Sequence, residues 1–157
     1  MKPDIGIDEE QRHGVVQALT ALLADEYVLY TKTRNYHWNV MGPQFNDLHR
    51  FFEAQYGELN DIVDEVAERA RTLDGAAIGT LSEFLQHTRL DEHPKQRPDA
   101  RAMVASLLAD HETIIRTLRE DLQVCLDRFG DAGTGDFLTG LMERHEKMAW
   151  MLRAFLA

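Results

Sequence analysis

Four residues in one stretch of chain have the types and spacing to do chemistry: His49, Glu53, Asp64 and Glu68. Imidazole nitrogens and carboxylate oxygens suit first-row divalent metals such as iron(II), and the Irving–Williams order leaves zinc as a competitor. On an α-helix, at about 100° per residue, they fall at roughly 0°, 40°, 60° and 100° and share one face. The apolar stripe expected for the same helix is Phe52, Tyr56, Leu59, Val63 and Val66, which centres near roughly 300° on that scale. The ligand face therefore points about 110° away from the expected core, sideways toward a neighbour, whereas a site inside a bundle would have its carboxylates inward.

Length divides this face in two. His49 and Glu68 are separated by about 28 Å of straight helix and cannot hold one ion. One half-site is His49 with Glu53; the other is Asp64 with Glu68. His37 lies about as far before the Gly42-Pro43 turn as His49 lies after it, so an antiparallel hairpin brings the two imidazoles level. One pole thus offers imidazoles and the other carboxylates. A two-fold axis between antiparallel copies of this helix would set each histidine pole against a partner's carboxylate pole. Any one of these residues alone reads as solvated surface or structure; the joint pattern points to metal.

The elements that must position them are helices. A first helix is expected from about Asp8 to Val40, stopped by Gly42-Pro43. A second runs from about Phe45 to Leu73, with Asn46 as a cap and Gly75 as a stop. A crossover follows in which Thr80-Leu81-Ser82-Glu83 reads as a capping box for a short helix carrying Phe84 and Leu85. A third long helix starts near Pro98 with the stripe Val104, Leu107, Leu108, Ile115, Leu118, Leu122, Cys125 and Phe129. Gly130-Asp131-Ala132-Gly133 breaks it. A fourth turns Leu138, Leu141, Met148, Leu152 and Phe155 inward. No segment alternates as a strand would. This predicts an all-α, ferritin-like four-helix bundle with an extra short helix in the long crossover, as one domain over residues 1–157.

The bulk numbers agree. Hydrophobic residues make up 44% and charged residues 28% of 157, and the net charge is −10. That balance disfavours wholesale binding to a phosphate backbone and favours cations. No apolar run reaches the ~20 residues of a membrane span, and Met1–Gly6 lacks the pattern of a signal peptide. The cytoplasm is the expected location, with nucleoid association as a further option; the lone Cys125 agrees with a reducing compartment.

The stretch Thr33-Arg34-Asn35-Tyr36-His37-Trp38-Asn39-Val40, with Gly42-Pro43-Gln44-Phe45 and Asp47-Leu48-His49, resembles the signature of the Dps family, miniferritins named as DNA-binding proteins from starved cells. Asp64-Glu65-Val66-Ala67-Glu68-Arg69 is similar to the family's second signature, and the likeness extends to His145–Leu152. The resemblance implies a hollow homododecamer that oxidises iron(II), with hydrogen peroxide or dioxygen as oxidant, and stores ferric mineral. It implies ferroxidase ligands His37 and His49 from one subunit with Asp64 and Glu68 from its two-fold mate, and Glu53 as a supporting acidic group. It further implies that Trp38 supplies electrons to a reactive intermediate, a role compatible with packing, and that acids near the start of the last helix line an iron-entry pore; Asp127, Asp131 and Asp136 are the candidates.

Three functions compete. One is this ferroxidase cage. Another is a structural nucleoid protein that coats DNA directly, as some family members do with a lysine-rich tail. Here residues 1–20 hold Lys2 and Arg12 against Asp4, Asp8, Glu9 and Glu10, so direct DNA binding is not expected. The last is a zinc-occupied or slow cage. His111 and His145 fall on apolar stripes and are expected to be satisfied core histidines, with a mutual pair or an accessory metal as the alternative. Cys125 is expected to be a small core residue.

Overall fold

A computed structural model describes residues 2–157 as five helices and a short π-helical turn, with no strand among the described residues. Helix α1, Glu9–Asn39, starts at a capping box. The Asp8 carboxylate accepts from the Gln11 N–H, and the Gln11 side chain accepts from the Asp8 N–H. These bonds satisfy donors that a helix start leaves open. The helix ends where Val40 turns extended and Gly42 takes φ +115°, a conformation that glycine adopts without a Cβ clash. Helix α2, Phe45–Thr72, returns antiparallel; its N-cap is Gln44, with no side-chain bond, so Asn46 sits inside the first turn rather than capping it.

The crossover carries α3, Leu81–His87, behind the expected Thr80/Glu83 capping box. Its Phe84 is buried and stacks on Tyr27 of α1 at 4.2 Å, while Leu85 is exposed. Helix α4, Ala100–Gln123, is capped by Asp99, whose carboxylate accepts from the Ala102 N–H. It runs into one turn of π-helix, Val124–Arg128, that holds Cys125 in the core. Helix α5, Ala132–Leu156, follows. Helices α1 and α2 pack along their length, as do α4 and α5, and α3 lies on α1. Contacts from Gln55 to Met148, Arg144 to Glu58 and Arg69 to Asp131 run α5 antiparallel to α2. No helix among the described residues is long and apolar enough to cross a membrane.

The inward stripe of α2 differs from the expected one. Leu48, Phe52, Gln55, Leu59, Ile62, Val66 and Ala70 are buried, whereas Tyr56 and Val63 stand half-buried at its edge. The spacing of the buried set recentres the core at roughly 260° on the earlier scale, so the His49/Glu53/Asp64/Glu68 face lies about 150° from it. Gln55, polar by type, belongs to this buried set with Ile62 and Ala70 and donates from Nε2 to the Met148 carbonyl.

Candidate metal centre

The hairpin turn sets the imidazole pole. His37 ends α1 and His49 begins α2, and their rings stack with centroids 3.8 Å apart and planes 19° apart. Each Nδ1 lies 2.8 Å from the other residue's backbone carbonyl. A carbonyl only accepts, so both Nδ1 atoms carry hydrogen and donate. The tautomer is thereby fixed, and Nε2 of each ring keeps its lone pair, as a metal-ligating histidine requires. His37 is buried and His49 half-buried. Phe45 stacks on His49 at 5.1 Å and Tyr56 meets His37 edge-on at 5.2 Å, which clamps the pair from two sides.

Trp38, next in the chain, is 64% exposed and points away from the core. The Arg34 guanidinium lies 5.2 Å from its ring and from that of Tyr56, and 5.6 Å from Tyr30. Arg34 Nη1 donates to the Tyr30 hydroxyl at 2.6 Å. That contact raises the Arg34 pKa from its ordinary value, so this box carries a fixed positive charge. Neither Arg34 nor its tyrosines was singled out by ligand-type reasoning; aromatics at positions 30 and 56, one helix apart in the hairpin, were the available signal.

Glu53, Asp64 and Glu68 are all exposed, and no described side chain bonds to them. Glu53 sits one turn beyond His49. Asp64 and Glu68 share the same face of α2 at its far end, about 22 Å beyond His49. The adjacent face is occupied differently: Arg144 of α5 donates to Glu58 at 2.6 Å and to Glu65 at 2.8 Å. Asp64 and Glu68, by contrast, are in no ion pair among the described residues. Among the described residues of the single chain, no three His, Cys, Asp or Glu side chains converge closely enough to hold a metal.

The model of the ferritin-like domain matches residues 16–157. A DNA protection during starvation protein of Bacillus anthracis is 37% identical over 90% of this chain and 96% of its own length. The chain belongs to the Dps family of ferritin-like proteins. The Dps of Vibrio cholerae, described as a member of a broad superfamily of ferritin-like diiron-carboxylate proteins, superposes with TM-score 0.92 at 33% identity, over 99% of this chain and 97% of that one. A low temperature-induced protein of Nostoc is 51% identical over 98% of this chain and 86% of its length.

Two expectations for other residues of this Dps chain change. Asp131 is buried and caps α5: its carboxylate accepts from the Thr134 N–H at 2.9 Å and from the Thr134 hydroxyl, and pairs with Arg69 at 3.2 Å. A carboxylate so engaged faces no opening, which leaves the exposed Asp127 and Asp136 as the acids free to line one. His111 and His145 are core histidines, both fully buried, and they form a mutual pair, Nδ1 to Nδ1 at 2.9 Å, that leaves His111 Nε2 unsatisfied among the described residues. Glu26, whose place in the core was not anticipated, stands 2.9 Å from His145 Nε2.

Proposed function

We propose that this chain assembles into a homododecameric shell, each subunit one ferritin-like domain, and that paired subunits oxidise iron(II) and store it as ferric mineral. The observation that carries this reading is the reciprocal lock of His37 and His49. It presents two Nε2 lone pairs at one end of an exposed face whose other end offers Asp64 and Glu68. A second, antiparallel copy of α2 would complete two equivalent sites, each with two imidazoles from one subunit and two carboxylates from its mate. Glu53 would add an acidic group beside the imidazoles.

Iron(II) is substrate here. The imidazoles bind the reduced ion, and the carboxylates stabilise the higher charge of the product, for which hard oxygen donors are suited. With hydrogen peroxide as oxidant, two iron(II) lose one electron each, the O–O bond breaks, and two protons complete two waters. Dioxygen is the alternative oxidant, and zinc competes for the ligands. Trp38, next to His37 in the chain and exposed, supplies an electron to a reactive oxidising intermediate. Exposed Asp127 and Asp136 draw cations to an entry pore. Protection is chemical, by removing iron and peroxide together, in the cytoplasm; the starvation-protection name of the Bacillus anthracis relative supports this reading.

Anaerobic iron(II) titration followed by peroxide tests it. The expected result is rapid ferric absorbance with one peroxide consumed per two iron(II), and no such phase in the His37→Ala, His49→Ala variant. Equal rates in the two proteins would overturn the assignment.

A further inference from the structure

Outside the metal face, the most unusual chemistry lies in the bundle centre. Glu26 of α1, His145 of α5 and His111 of α4 are all 0% exposed. They form a line in which Glu26 Oε1 is 2.9 Å from His145 Nε2 and His145 Nδ1 is 2.9 Å from His111 Nδ1. Among the described residues, Glu26 Oε2, His111 Nε2 and Gln55 Oε1 of α2 have no partner. Both nitrogens of His145 are taken by neighbours, so the line as it stands needs a proton in each contact rather than a metal ion.

The protons can be counted. Nitrogen facing nitrogen at bonding distance requires one proton between them, since two would repel and none would leave two lone pairs opposed. The contact with Glu26 likewise requires one. In one distribution, His111 donates from Nδ1 and His145 donates from Nε2 to Glu26. The group then holds two protons and a net charge of −1 in a dry core. In the other, His145 donates from Nδ1, His111 keeps its proton on Nε2, and a proton lies between His145 and Glu26. That group holds three protons and is neutral overall. A lone buried charge is what folded chains avoid.

Among the described residues, no other cation is seen to pair with the line: Arg12 of α1 turns its Nη1 to the Ile7 carbonyl at the start of the helix. On α1, Lys32 is paired with Asp110 of α4 at 2.6 Å, and the neighbouring Asp25 is taken by Arg89 at 2.7 Å and by Thr88. On α2, Gln55 is the one buried polar side chain. On α5, the other buried polar side chain is Thr134, which bonds Asp131. Burial, reinforced by the neighbouring His145, pushes the His111 pKa well below the ordinary histidine value.

We infer that Glu26, His145 and His111 share three protons, making a neutral, proton-bridged clasp between α1, α5 and α4 that alkali opens by removing the third. Near pH 8 the unfolded chain keeps only two protons on these groups, because a free carboxyl titrates near about 4.3 and a free histidine near about 6.5. Unfolding then releases a proton. The stabilisation that comes from the third proton is complete below the unfolded histidine value and declines as pH climbs above it.

Urea unfolding of the assembled protein between pH 7 and 9 tests this against Glu26→Gln. The amide keeps the shape and accepts from His145 but needs no third proton. The unfolding constant of the wild type should rise about tenfold more per pH unit than that of Glu26→Gln, the signature of one extra proton. His111→Asn, which leaves Glu26 beside His145, should keep the wild-type slope, and Glu26→Met, which leaves no buried carboxyl to hold a third proton, should lose it; this second pair carries the test if Glu26→Gln does not fold. Equal slopes for wild type and Glu26→Gln, or for His111→Asn and Glu26→Met, would overturn the inference. The clasp lies outside the metal face, so these outcomes do not depend on whether iron is oxidised.

Discussion

Replacing Asp131 by alanine separates a structural acid from a pore acid. The Asp131 carboxylate caps α5 through the Thr134 N–H, accepts the Thr134 hydroxyl and faces Arg69 of α2, whose Nε also donates to Thr134 at 3.0 Å. Losing an N-cap costs about 0.5–2 kcal/mol. Removing one partner of a fully buried ion pair costs about 3–5 kcal/mol, but Arg69 is 26% exposed and recovers part of its hydration. A total near 3 kcal/mol is expected, and with about 2–4 °C per kcal/mol for a chain of this size the melting temperature should fall about 6–12 °C. Asp131→Asn keeps the cap oxygen and the volume and should cost about 1 kcal/mol. Thermal melts followed by circular dichroism would measure both, alongside iron uptake at a temperature where each variant is folded. Unchanged melting in Asp131→Ala with slowed iron uptake in both variants would refute this account and return Asp131 to the pore.

Gly14→Ala should destabilise by about 1–3 kcal/mol, because a Cβ there would sit 2.2 Å from the Phe129 ring; Gly14→Ala with Phe129→Leu should recover part of the loss in a denaturant titration. Acid should destabilise the fold through His111, whose pKa is depressed in the folded state: the unfolded chain takes up a proton near its ordinary value that the native chain refuses, so stability falls as pH drops below about 6.5. His111→Asn should flatten that acid limb in a melting series from pH 7 to 5. The assembled protein should not retard plasmid DNA at neutral pH in chelator and about 0.15 M salt, given a net charge of −10 per chain; retardation under those conditions would favour direct DNA binding.

The helices and the ligand face were legible because both rest on periodicity. His49, Glu53, Asp64 and Glu68 share a face for any α-helix, whatever packs on the other side. The core stripe is less so: Gln55 is polar by type, yet it is buried with its amide donating to the Met148 carbonyl, and Ile62 is buried where Tyr56 stands half-buried at the edge. Glu26 was missed for a related reason. Helix α1 buries Asp25, Glu26 and Lys32 among its leucines, so no single apolar face marks it. Each acid depends on a partner more than 60 positions away, Arg89 for Asp25 and His145 for Glu26, which local patterning does not encode. Asp131 was readable as a loop acid, but its role depends on Arg69 reaching across from α2.

The central claim is that the two poles meet across a subunit interface. Co-assembly tests it most directly, using a His37→Ala, His49→Ala subunit mixed with an Asp64→Ala, Glu68→Ala subunit. Each homogeneous cage should lack rapid iron oxidation. In a mixed pair one interface site collects every lesion and the other has none, so random mixing should restore about a quarter of the wild-type sites. Mixed cages as inactive as either parent would show that the poles do not share a site.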